Sequence, residues 1–123
     1  MTKKINLTVS EDNLRLIAMS LELQSRLLCG QFGEIDNLFR LYTKHNYDSD
    51  VVDSQLRELK KEIFGNNNMI GIYSDEAKGL ALDGYEVYKQ ILHYFHKDSK
   101  HWSIHKDTPL VTIENNKIEI EER

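Results

Sequence analysis

The chain has 123 residues, 40% of them hydrophobic and 29% charged, with one Pro, six Gly and a formal net charge of −4. That length predicts a single domain over 1–123 with a core of its own, and the composition excludes low-complexity disorder. The acidic balance removes the long-range field that draws nucleic acid or anionic membrane, and the lone Cys29 excludes an internal disulfide and points to a reducing cytosol.

The opening stretch, Met-Thr-Lys-Lys-Ile-Asn-Leu-Thr-Val, has two lysines but no apolar run behind them, so it reads as neither a secretory signal nor a transit peptide. No window approaches the roughly eighteen apolar residues of a membrane span. Ile5, Leu7 and Val9 alternate with polar residues and predict a half-buried strand over 4–9. Ser10 followed by Glu11 and Asp12 is an N-cap with first-turn acids. Leu14, Ile17, Ala18, Leu21 and Leu28 then keep helical spacing, continued past Gly30 by Phe32, Ile35, Phe39 and Tyr42. This is either one kinked helix or two short ones that meet at Cys-Gly-Gln-Phe-Gly.

Asn46 to Asp50 is turn chemistry, with Asp48 or Asp50 free to cap the next helix. Val52, Leu56, Leu59 and Ile63 give that helix a narrow apolar stripe, and Gly65 with three following asparagines ends it. Ser74, Asp75 and Glu76 open a further helix with a stripe through Ala77, Ala81, Tyr85, Tyr88, Leu92 and Phe95, widened by Leu80, Val87, Ile91 and Tyr94. At the C-terminus, a two-residue turn at Asn115 and Asn116 pairs Ile113 with Ile118 and Val111 with Ile120, which predicts a hairpin. The expected fold is therefore α+β, with three or four helices packed on a small antiparallel sheet.

No phosphate loop, nucleophile elbow, zinc-protease helix or Cys-x-x-Cys pair occurs, so the expectation is a protein that is not an enzyme. Four of the five histidines gather at His93, His96, His101 and His105. His93 and His96 share a helix face, and His101 and His105 fold back to complete a candidate zinc shell, with Cys29 as a substitute ligand. The bland alternative is a half-buried His93 with three solvated neighbours. His45, Asp48, Asp50 and Asp53 fall short of a calcium loop and read as capping. Arg57, Lys60 and Lys61 interleave with Glu58 and Glu62 as a solvated face, while the acids from Glu114 to Glu122 read first as the solvated side of an edge sheet and second as a rigid negative surface for a basic groove.

Two stretches, 21–39 and 75–98, resemble small proteins encoded by bacteriophages and prophages. The resemblance rests on Arg26, Gly30, Gln31 and Phe32 in the first stretch and on Tyr85, Tyr88, Ile91 and His93 in the second. It implies an anti-defence protein in the cytoplasm of the infected bacterial host, inhibiting a CRISPR effector nuclease of the Cas9 type by surface occlusion, with a structural zinc. Two alternatives stand beside it. One is an oligomeric sponge for a cyclic-nucleotide signal, with Arg26, Arg57, Lys60 and Lys61 on the phosphates, and the other is a phage structural or regulatory protein. Arg26, Gln31 and His93 are expected either to lock helices together or to line a ligand pocket.

Overall fold

Helix α1 (Glu11–Leu28) begins where the sequence places it. The Ser10 hydroxyl accepts from the Asn13 amide at 3.1 Å, which satisfies one of the free donors of the first turn. The helix stops at Cys29, and Gly30 turns the chain with a φ of 79°, a conformation that favours glycine. Two helices therefore meet at this point, the second being α2 (Gly33–Tyr42). Asp48 caps α3 (Ser49–Phe64), its carboxylate accepting from the amides of Asp50 and Val51, and left-handed Gly65 ends that helix.

The computed structural model describes residues 3–123. Helix α4 (Leu80–His96) starts later than its acidic approach suggests. Asp75–Ala77 make only a 3-10 turn, and Gly79, at a φ of 93°, separates that turn from the helix. Helices α1 and α4 lie antiparallel and form the body. The Arg15 guanidinium stacks 3.9 Å over the Phe95 ring at one end, and the Ser25 hydroxyl donates to the Ala81 carbonyl at 2.8 Å toward the other. Ala18, Leu82, Tyr88 and Ile91 are buried, and Cys29, Ala77 and Ala81 form a small cluster covered by Ile70 and Ile72.

The expected α+β fold is overturned: the structure is all-helical, with no strand and no sheet among the described residues. Residues 4–9 form no strand, and Ile5 is 87% exposed. The predicted hairpin turn is a 3-10 turn at Glu114–Asn116. The segment around it lies along α4, and the reason is a supply of acceptors. Amides that a partner strand would have satisfied are taken instead by side chains of α4. No helix among the described residues is long and apolar enough to cross a membrane.

Candidate functional site

One polar stripe runs the length of α4, through Asp83, Glu86, Gln90 and Tyr94 at spacings of three, four and four, so all four share a face. Glu86 is at its centre and is wholly buried. One carboxylate oxygen accepts from the Thr112 amide at 2.6 Å and the Thr112 hydroxyl at 2.7 Å. The other accepts from the Ile113 amide at 3.1 Å and the Asn116 side-chain amide at 3.0 Å. Burial pushes the Glu86 carboxyl up, but these four donors together hold it below the usual carboxylate range. With every lone-pair position filled, Glu86 has no capacity left for proton transfer and works as a clamp.

The neighbours extend the clamp along the C-terminal segment. Asp83 accepts a hydrogen bond from the same Asn116 side-chain NH2 group at 2.9 Å. Gln90 donates to the Asn116 carbonyl at 2.7 Å and accepts from the Ile118 amide at 3.1 Å. The Tyr94 hydroxyl donates to Glu122 at 2.7 Å, and that bond, with burial and the carboxylate's charge, pushes the Tyr94 pKa up to about 12. The carboxylates expected on a hairpin surface are thus partly spoken for: Glu122 by Tyr94 and Glu114 by Lys117 at 2.8 Å.

The histidines come together only in part. His93 and His96 occupy the last turns of α4, and His105 returns to them on a 3-10 turn, Ile104–Lys106. The His93 Nδ1–H donates to the main-chain carbonyl of His105 at 2.9 Å, and the His96 and His105 rings lie 5.6 Å apart. His101 is exposed. The Lys89 ammonium donates to Nδ1 of His105 at 3.2 Å, which sets a positive charge beside the ring. Cys29 packs on Ala77 and Ala81, and Ala81 precedes His93 by twelve residues of helix, roughly 18 Å. These residues as placed do not fit a closed four-ligand zinc shell, and no group of three or more His, Cys, Asp or Glu among the described residues is arranged to hold a metal.

What the cluster does instead is dock the 3-10 turn onto α4, and it does so in a pH-dependent way. Burial, the Lys89 ammonium and His96 lower the His105 pKa, opposed by Glu22. The fold therefore favours neutral His105, a contribution complete above about 6.5 and lost as pH falls through the lower folded value. Amide exchange around residues 103–106 is expected to accelerate on going from pH 7 to pH 5. In Lys89→Met the His105 pKa should rise toward its ordinary value and the acceleration should shrink. An unchanged exchange rate across that range would remove His105 as the cause.

The positions that carry the expected resemblance, Arg26, Gln31, Phe32, Tyr85, Tyr88, Ile91 and His93, fall in separate contacts. Arg26 donates to Glu22 at 2.9 Å and to the Gln31 side chain at 3.0 Å, and lies 3.5 Å from Glu34, which ties the end of α1 to the start of α2. Phe32 meets Phe64 at 5.8 Å, and Tyr85 meets Tyr88 at 5.6 Å. Ile91 is buried, whereas His93 belongs to the His105 contact and not to the Arg26 network. The candidate phosphate ligands do not converge either. Arg57 pairs with Asp53 at 3.1 Å, Lys61 lies by Glu58, and Lys60 donates to the Asn67 carbonyl at 3.3 Å. The cavity between α2 and α3, about 340 Å³, is lined by Glu34, Asp36, Asp50 and Asp53 with Arg40, a field that repels phosphate.

Sequence reasoning missed Glu86, Asp83 and Gln90. The available signal was the recurrence of polar residues at helical spacing within an otherwise apolar helix. No family model, curated protein or solved structure matches the chain.

Proposed function

We propose that this chain is a non-catalytic binding protein that acts by covering a partner's surface, and that the partner is a host CRISPR effector nuclease of the Cas9 type, met in the cytoplasm of an infected bacterium. The observation that carries the binding role is area. The chain leaves 9705 Å² accessible, whereas a folded monomer of its 14.4 kDa mass is expected to leave about 6,800 Å². Large apolar side chains are among the exposed residues. Trp102 is 85% exposed, and Ile5, Leu7 and Leu110 also face solvent. Arg15 over Phe95 brings the start of α1 to the end of α4, and Trp102 follows that end by six residues. Exposed apolar side chains of this kind are what a binding surface offers.

The nuclease class rests on the resemblance at Arg26, Gly30, Gln31, Phe32, Tyr85, Tyr88 and Ile91. The single Cys29, buried and with its thiol pKa raised by that burial, suits a reducing compartment. The test is co-purification with type II effectors of a susceptible host, read out as loss of guide-directed DNA binding and cleavage. Trp102→Ala and the pair Ile5→Asp, Leu7→Asp are expected to weaken inhibition by about tenfold or more without changing the melting temperature. If no effector binds and none is inhibited, the nuclease reading fails. Variants that inhibit as well as the parent would move the surface elsewhere.

A further inference from the structure

The cleft between α2 and α3, about 340 Å³, is polar throughout, with no aliphatic or aromatic side chain among those that line it. Four of the lining residues are carboxylates, Glu34, Asp36, Asp50 and Asp53, and one is a cation, Arg40. Two of the acids are offset from outside: Arg26 lies 3.5 Å from Glu34, and Arg57 lies 3.1 Å from Asp53. Asp50 enters no ion pair among the described residues. Glu34, Asp36 and Asp50 stand in first helical turns, where a carboxylate offsets the helix dipole, and that role alone accounts for the exposed acids.

It does not account for Asp36, whose side chain is only 9% exposed. Its Oδ2 accepts from the Arg40 guanidinium, but Oδ1 is closed to solvent and has no hydrogen-bond partner, the one buried side-chain atom among the described residues in that condition. The Tyr47 hydroxyl, opposed by burial and aided by Arg40 and Ser49, holds the carboxyl below its usual range, so it is charged at neutral pH. That hydroxyl is nonetheless spent on the Asp36 main-chain carbonyl, to which it donates at 2.9 Å. A charged oxygen buried without a donor is costly, and a ligand that brings the donor removes the cost.

We infer that this cleft binds a small organic cation of the polyamine class, with one primary ammonium donating to Oδ1 of Asp36 and the remaining positive charge facing the acids of the rim. The volume falls within the roughly 300–1,000 Å³ of small-ligand sites. The polar lining offers nothing to an apolar ligand, and the acids repel an anion. A bare metal ion fits less well, because no three carboxylates among the described residues are arranged to hold one, whereas a flexible chain of ammonium groups meets carboxylates that stand apart. The ligand competes with Arg40 for Asp36, and the Arg40 side chain, 58% exposed, is free to move aside. The site uses none of Ile5, Leu7 or Trp102, so it and the nuclease reading can each fail without the other.

Titration of the full chain with spermidine, followed by amide chemical shifts, tests it. Saturable shifts are expected over residues 33–40 and 49–53, with a melting temperature that rises with spermidine concentration. Asp36→Asn should raise the Kd by about tenfold or more, because its amide sets a donor where the ligand's donor sits. Arg40→Gln should lower the Kd by removing the competing cation. Asp12→Asn and Lys100→Gln change the net charge by the same amounts at the start of α1 and after the end of α4, and should leave the Kd as it is. Asp50→Asn, at an exposed position outside every ion pair, should weaken binding with the fold intact, and it decides the matter if Asp36→Asn does not fold. A titration without saturable shifts overturns the inference and leaves water as the partner of Oδ1. A Kd moved as far by Asp12→Asn as by Asp36→Asn also overturns it, as general attraction to an acidic chain. Displacement of spermidine by an equal concentration of Mg2+ would make the site one for a metal instead.

Discussion

Glu86→Ala is expected to release the C-terminal segment from α4 and to cost about 3–5 kcal/mol in chemical denaturation. The substitution removes the acceptor for the Thr112 and Ile113 amides, the Thr112 hydroxyl and the Asn116 side chain together. Each donor left buried without a partner carries a penalty of about 1–3 kcal/mol. The segment escapes that penalty by swinging into water, so the observed loss is capped by its docking free energy. Hydrogen exchange should then report full exposure of the amides of Thr112, Ile113 and Ile118 while the α1 and α4 ladders stay protected. Glu86→Gln should fail to rescue, because its amide nitrogen would confront donors. The charge also fixes a pH dependence. With its folded pKa held below the ordinary 4.5, Glu86 contributes stability that is present above that value and is lost as pH falls through the folded one. The parent chain should destabilise steeply below about pH 4.5, and Glu86→Ala should flatten that part of the profile. Continued protection of Thr112 and Ile113 in the variant would show that the clamp is elsewhere.

The helices were legible in the sequence because their signals are local. Ser10 and the acids after it, Asp48 and Gly65 each act within one turn, and each does in the structure what its chemistry suggests. The tail was not legible, although its alternation was read correctly. Val111, Ile113, Ile118 and Ile120 do alternate with polar residues, but alternation says nothing about who supplies the hydrogen-bond partners. No second strand does so, and α4 supplies them from Glu86 and Gln90. The same limit applies to the histidines. The three-residue step from His93 to His96 was visible, but the return of His105 and the arrival of the Lys89 ammonium at its ring depend on how residues 97–104 fold back. On α4 the periodicity picks out the apolar stripe, but it does not say that the face carrying Asp83, Glu86 and Gln90 is covered as well.

Gly84→Val is expected to separate the two helices of the body, with a loss of about 3 kcal/mol. Gly84 is buried where α4 faces Leu21 and Ser25 of α1. A β-carbon built there stands 2.8 Å from the Ser25 hydroxyl oxygen and 3.5 Å from the Leu21 carbonyl. The hydroxyl has no easy retreat, because it is committed to the Ala81 carbonyl at 2.8 Å, and the carbonyl belongs to the backbone of α1. The alanine variant isolates the terms. It adds one methyl and gains roughly 1 kcal/mol of helix propensity over glycine, so its net effect should be small and destabilising only by the strain at Ser25. Ser25→Ala with Gly84→Ala removes the obstructing oxygen and should recover that strain. The double variant is then expected to be more stable than the sum of the single changes predicts, a positive coupling that a double-mutant cycle reads directly. Gly84→Val lies beyond such relief, since a branched side chain still meets the Leu21 backbone. If Gly84→Val melts with the parent, α1 and α4 are not held at the separation that places Glu86 in the dry interior.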